Sequence, residues 1–553
     1  MKIKNIIKTS MLSVLMTSIV GCEGFLDEKL KGELAPTNTF TSTYGFEVGI
    51  TGLYALTRAE YNTWGEGGAF MHNKACPYEA LQAATDIAEV INSDESLLPF
   101  GNLTLSSSTS IVGSYWTWAY SVISSANLIL DHSEKNNNWD TPKDKERFQA
   151  EARFFRAYAY RYLVYLYGDV PYVDKIMYDF QLNFTRNPKE EVLAKAVEDL
   201  EFATEFLPEN PDDGNLKEGK LTKWAAYHLL SEMYLMQKKY EQAEAAALKV
   251  INCGHYQLNK KRYGVAKEQP GDVFSDMFLE NNQNRKSGNT ESIWVLQFEF
   301  NTVGGGTNSD DWTRRAWNPM YFSVTGFTLA DSLGGRGLAQ ILPMKWWIGT
   351  KGTNADGDVA GIFDNKDIRN SEYNIKRNWY YNDVSNTSLY GKKCNITEAT
   401  WFTNKHLFPA ITKFFYGREE NLGLTGSYKD RMKFRLAETY LLLAEAYLGQ
   451  NKPDKAADAV NEVRKRAGAP QVTTAEMDMD YLLDERIREL VGEEVRRFTL
   501  VRTGKYIDRV KKYNNKLKDT VKEHHALWPI PQSIIDSNRD VVFPQNPGYG
   551  SAN

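Results

Sequence analysis

The stretch at residues 150–173, AEARFFRAYAYRYLVYLYGDVPYV, constrains the fold more than any other. Phe148, Ala152, Phe155, Ala159, Tyr162 and Leu166 recur at spacings of four and three, which is one face of an α-helix. Phe154, Tyr158 and Tyr165 lay a second stripe on the neighbouring face. A helix that is apolar and aromatic over most of its circumference has to be buried among other helices. Gly168 suits the turn that ends it, and Pro171 prevents a restart. The rings therefore read as core.

The rest of the chain supplies those neighbours. Helical periodicity is also predicted over 43–61, 77–92, 111–131, 188–207 and 480–502. Tyr227, Leu230, Ser231, Tyr234, Tyr240, Ala243, Ala247 and Val250 fall where a tetratricopeptide hairpin wants its large, small and aromatic residues. The same frame recurs as Tyr440, Leu443, Ala444, Tyr447, Pro453, Ala456, Val460 and Val463. Such a hairpin cannot bury its face alone, so neighbours must stack on it. Between the two hairpins the periodicity fails, and glycine-, asparagine- and aromatic-rich segments surround one strand-like run at 291–300. The expected fold is mainly α. A tetratricopeptide-like helical-hairpin scaffold over about 111–252 and 430–504 carries a large irregular, loop-rich insertion over about 253–429. Long irregular insertions in a regular scaffold are where binding concentrates.

The amino terminus reads as an address. Lys2, Lys4 and Lys8 precede a short apolar run at 11–20, too short for a permanent membrane span. Ile19-Val20-Gly21-Cys22 then resembles a bacterial lipobox, with Cys22 as the acylated residue. This gives a signal peptide over 1–21, a lipid-anchored tether over 22–42 and a single domain over 43–553. With 66 basic against 71 acidic residues, the chain lacks the basic surface that nucleic acid requires. Cys76, Cys253 and Cys394 are widely separated and fit no disulfide or zinc spacing. No GxSxG, HExxH or phosphate loop is present, and no cofactor or metal is expected. The polar turn at 354–358 lacks the acidic residue that closes a calcium loop, and reads as a solvated turn.

The helix at 150–173 resembles the signature helix of the SusD/RagB family of outer-membrane nutrient-binding lipoproteins. Further blocks resemble that family in its order: FRLAETYLLLAEAYL at 434–448, VNEVRKRAG at 460–468, ERIRELVGEEVRRFTLVRTG at 485–504, WPIPQSIIDSN at 528–538 and QNPGY at 545–549. Phe498-Thr499 departs from it, since the family more often has Asp after the aromatic. The resemblance implies a SusD-like fold with no catalytic activity. It also implies anchorage at the cell surface through Cys22, and delivery of an oligosaccharide to a SusC-like TonB-dependent transporter. A RagB-like peptide binder, or a protein-interaction scaffold without catalysis, is the alternative.

The composition favours a glycan, because 13 Trp, 31 Tyr and 26 Phe exceed what core filling obviously needs. Sugar rings stack their C–H faces on such side chains. The resemblance puts ligand contacts in loops after the first helices and in the insertion. Here it begins at the strand carrying Trp294. Trp317 and Trp294 are expected to lead, followed by Trp312 and Tyr321. Asp310, Asp311, Arg314 and Arg315 would bind hydroxyls beside them, and glycines 304–306 would hold the loop clear of the scaffold. Trp64, Asp86 and Phe100 would add to the site from the N-terminal loops.

Overall fold

The computed structural model describes residues 39–61, 77–90, 96–177, 179, 181–300, 302, 311–349, 361–395, 405–418, 422–424 and 426–550. The signal segment, Cys22 and nearly all of the tether lie outside them. The aromatic helix is present as α3 (Asp144–Tyr167), preceded by α1 (Thr43–Arg58) and α2 (Ser110–Lys135). Next come α4 (Lys189–Phe206), the hairpin α5 (Lys223–Met236) and α6 (Tyr240–Ile251), and the hairpin α7 (Leu436–Gly449) and α8 (Pro453–Arg466). Each helix from α2 to α6 packs on its successor, α6 packs on α7, and α7 on α8. The stack is continuous although the insertion interrupts it in sequence.

The two hairpins repeat in their turns as well as their faces. Lys238 and Asn451 both adopt positive φ, 57° and 58°. In each turn the next residue donates its N–H five residues back along the helix end, Lys239 to Tyr234 and Lys452 to Tyr447, both at 2.9 Å. This is the bonding of a Schellman cap, which satisfies carbonyls that the helix leaves unpaired. Small residues bring the hairpins together: a Cβ on Gly449 would lie 2.3 Å from the Tyr240 ring.

Buried arginines join α3 to its neighbours. Arg156 holds Asp199 of α4 through two bonds of 2.7 Å, and Arg161 holds Glu232 of α5 through two of 2.9 Å. At Gly168 the chain leaves with φ +74°. The carboxy-terminal blocks then cap the open end of the helix. Trp528 donates its N–H to the Leu166 carbonyl at 2.6 Å, and Asn546 Nδ2 bonds the Tyr167 carbonyl at 2.9 Å.

Two expected helices come out differently. Of the run at 77–92 the described part, 77–90, forms a short 3₁₀ turn (Pro77–Leu81) and then strand β1 (Ala88–Val90). The run at 480–502 is split into α9 (Met479–Leu490) and α10 (Arg496–Arg502). The break is at Gly492, which has φ +72° and where a Cβ would lie 2.2 Å from the Phe414 ring. Beyond it, Thr499, in the position where the family more often has Asp, donates to Glu494 at 3.0 Å.

The insertion is built from one-turn helices and short antiparallel pairs. β2 (Ser292–Leu296) pairs with β6 (Arg431–Arg435), β1 with β3 (Ile341–Pro343), and β4 (Ile375–Lys376) with β5 (Ala410–Ile411). The run around β2 alternates in sequence, yet every residue of the strand is buried. The aromatic face of α3 covers one side of it, and Phe274, Met277 and Met432 cover Val295 on the other. Beneath the insertion lies a floor of ion pairs. Glu489 accepts from Arg369 at 2.9 Å, from Arg435 at 2.5 Å and from Arg466. Glu485 accepts from Arg369, Arg464 and Arg488 at 2.7–2.8 Å. Burial opposes the charge on both carboxylates, and the guanidinium groups outweigh it and hold both well below the usual range.

Candidate ligand cleft

The rings expected to carry the ligand are interior. Trp294 is 1% exposed and meets Phe154, Phe155 and Tyr158 of α3 edge-on at 5.5–6.1 Å. Its indole N–H donates to the Gly219 carbonyl at 3.1 Å. Trp317, also 1% exposed, stacks on Phe414, and Trp312 is buried beside it under the Arg315 guanidinium. Tyr321 is buried against Trp379 and exchanges hydrogen bonds with the Ala330 backbone. Phe100 is buried on Trp528. These side chains therefore cannot offer a free face. Sequence spacing does not reveal that α3 covers Trp294 and that Phe414 covers Trp317.

The expected polar contacts are engaged in the same way. Arg314 is buried and donates to the carbonyls of Tyr416, Leu424 and Gly426 at 2.6–2.8 Å. Burial pushes its guanidinium down to about 10. Asp311 accepts from the Thr313 N–H and from Arg431, both at 2.9 Å. Asp86 is enclosed by Arg496 and Arg509 at 2.6–2.8 Å. Burial opposes its ionisation, but the two arginines hold the carboxyl at about 2. Trp64, Asp310 and the turn at 354–358 lie outside the described residues.

A different part of the insertion is open. A cleft of roughly 660 Å³ is lined by the segments around Phe278, Tyr373, Tyr380 and Phe415. Tyr373 is 47% exposed and Tyr380 50% exposed, among the most exposed large apolar side chains of the described residues. β4 carries this wall and is registered against β5 by the Ile375↔Ile411 pair. Thr412 Oγ1 donates to the Tyr373 carbonyl at 2.5 Å. Glu372 accepts from Asn378 Nδ2 at 2.6 Å and from the backbone N–H groups of Arg377 and Asn378 at 3.2 Å. Glu280, Asp331 and Lys376 also line it, and burial lowers the Lys376 ammonium. The volume falls in the range of ligand sites. Half-exposed rings beside carboxylates, an amide and an amine can stack on an apolar face and bond hydroxyls.

Sequence reasoning missed this wall. Its signal is the density of aromatics among amides and charges in SEYNIKRNWYYND at 371–383, with no helical or strand period to bury them. Among the described residues, no group of His, Cys, Asp and Glu could hold a metal, and Cys253 and Cys394 are free thiols. Among the described residues, no helix is long and apolar enough to cross a membrane.

Comparison with known proteins decides the relationship. A model described as the SusD family matches residues 280–549. A second, described as "Starch-binding associating with outer membrane", matches residues 25–235. The chain belongs to the SusD family. As a member it is a non-catalytic binding protein of a group associated with the outer membrane. This SusD-family chain is 26% identical over 577 residues to a SusD-like protein of Formosa agariphila, covering 97% of each. It is also 26% identical over 454 residues to the starch-binding protein SusD of Bacteroides thetaiotaomicron, covering 77% of this chain and 76% of that one. The surface glycan-binding protein A of Bacteroides thetaiotaomicron, solved with laminarihexaose, superposes with a TM-score of 0.69 at 19% identity. That match covers 92% of this chain and all of the other. A laminarin-binding SusD-like protein gives 0.65 at 21% identity, covering 91% of this chain and 99% of that one. At such identities the structural matches establish the fold.

Proposed function

We propose that this protein is a surface-exposed lipoprotein, anchored through Cys22, that holds an oligosaccharide and passes it to a SusC-like TonB-dependent transporter. The cleft at Tyr373 and Tyr380 carries this reading. It combines half-exposed rings with hydroxyl-bonding groups in the insertion of a non-catalytic scaffold. Relatives whose names record starch, laminarin or laminarihexaose support a glycan over a peptide. A peptide groove would instead present backbone groups for strand pairing. Trp294, Trp312, Trp317, Tyr321, Arg314, Asp86 and Phe100 are buried and have structural roles in this reading.

A second location has its own observation. The Trp312 N–H donates to the Tyr61 carbonyl at 3.0 Å, so the described ends of the segments bearing Trp64 and Asp310 meet. The test is a glycan array and a peptide library, followed by calorimetry with laminarihexaose on residues 23–553. Binding lost in Tyr373→Ala/Tyr380→Ala places the ligand in the cleft. Binding lost only in Trp64→Ala moves it to the second location. Capture of peptides and of no glycan overturns the proposal. Cys22→Ala is expected to leave the outer-membrane fraction.

A further inference from the structure

Two of the segments that line the cleft are tied together from behind by one buried amine. Lys429 is buried, and its Nζ donates to the carbonyls of Phe278 at 2.6 Å, Lys413 at 2.7 Å and Phe415 at 3.1 Å. Phe278 and Phe415 both line the cleft. An ammonium has three N–H donors and no lone pair, so it satisfies three carbonyls at once. A neutral amine has two donors and turns a lone pair toward the third oxygen.

We propose that Lys429 is a positioning residue of the cleft, holding its 278 and 415 walls in register as an ammonium and releasing one of them when it loses its proton. This rests on the reading that the cleft is the ligand site only for its effect on binding; the movement of the walls stands apart from it.

The surroundings support a proton that leaves near neutrality. Burial pushes the Lys429 ammonium down to about 7, opposed by Asp311 and Glu280 and reinforced by Arg431 and Arg314. Neither acid is a direct partner. Asp311 is bonded to Arg431 and Glu280 to Arg418. Lys413, Asp430 and Glu493 line the small polar cavity, about 40 Å³, that Lys429 shares. That space gives the amine room to turn. The 415 wall has a second tie, because Lys413 Nζ bonds the Glu489 carbonyl at 2.7 Å and Glu493 at 2.5 Å, and burial lowers that ammonium less far, to about 8. Among the described residues the Phe278 backbone is bonded to that turn through Lys429, while the Glu280–Arg418 pair and Lys413 Nζ, 4.9 Å over the Phe278 ring, hold only side chains of the 278 wall, so its backbone is the part that moves.

The sign for global stability is opposite to that for the cleft. A lysine lowered on folding costs stability while it is charged, and that cost fades as pH rises above its folded value. Loosening of the cleft above pH 7 is therefore not accompanied by a fall in melting temperature from this group.

Hydrogen–deuterium exchange at pH 6 and pH 8.5, corrected for intrinsic rates, tests the movement without any ligand. Peptides spanning 275–281 should exchange several-fold faster at the higher pH, with α3 and α5 unchanged. In Lys429→Gln they should exchange fast at both values, and Lys429→Arg should restore protection and remove the pH response. Equal protection at both pH values in the unmodified protein overturns the proposal. So does a pH response that persists in Lys429→Gln, which would assign the proton to Lys413. Calorimetry with laminarihexaose then asks the separate question of binding. An affinity that falls about ten-fold from pH 6 to 8.5 is expected if the cleft is the ligand site. Unchanged affinity alongside faster exchange would place the ligand elsewhere and leave the movement of the walls intact.

Discussion

Around Glu489, guanidinium groups from β6, α8 and the 3₁₀ turn at Ile368–Asn370 converge on one carboxylate that has no solvent contact. Around Tyr373, a carboxylate, an amide and an amine line open space beside two half-exposed rings. The two regions draw on the same residue types and are joined through the 412–415 turn. In the floor each charge is matched by another protein charge, which fixes geometry at the cost of desolvation. In the cleft polar atoms face solvent, which leaves them available to a ligand. Residue type therefore says little about role here. Whether a neighbour has already met the group's bonding needs says a great deal.

The contrast can be broken most directly at Glu489. Glu489→Ala would leave Arg369, Arg435 and Arg466 buried without their shared partner and should cost about 3–5 kcal/mol, read by urea denaturation. A loss under 1 kcal/mol would mean the floor is not a structural element. Acid probes the same idea at Asp86. Its folded value lies below the ordinary aspartate value of 3.8, so its contribution is present above that pH and is lost as pH falls toward about 2. The shift is worth roughly 2 kcal/mol. Asp86→Asn should start less stable at pH 5 and depend less on acid than the unmodified chain.

Gly492 lies where the two regions touch. Gly492→Ala would drive a Cβ toward the Phe414 ring in a backbone conformation that favours glycine. It should cost about 1–3 kcal/mol through strain and overpacking. It should also raise exchange in the 412–415 turn. The smallest change in stability is expected at the cleft. Tyr373→Ala should shift stability by no more than about 0.5 kcal/mol, as an exposed position does. It should weaken glycan binding by roughly ten- to a hundred-fold, if the ring stacks with about 1–3 kcal/mol as aromatic platforms do for bases. Trp294→Ala sharpens the comparison, because it should cost about 3–5 kcal/mol of stability as a core truncation.

The sequence by itself determined the helical scaffold. The stripes of α3 and the shared frame of the two hairpins are local periodicities, and a helix projects residues three and four apart onto one face whatever surrounds it. The family blocks, too, were legible as strings. Their reasons were not: WPIP and QNPGY cap the end of α3, and the charged run at 485–497 supplies a buried ion network, both through contacts distant in sequence. Tertiary structure alone decided which aromatics are free. Trp294 and Trp317 sit in segments with no helical period to hide them, yet α3 and Phe414 cover them. Tyr373 and Tyr380 sit in a similar polar context and are left open. Burial in an irregular segment is a property of what packs over it, and that information lies in residues far along the chain.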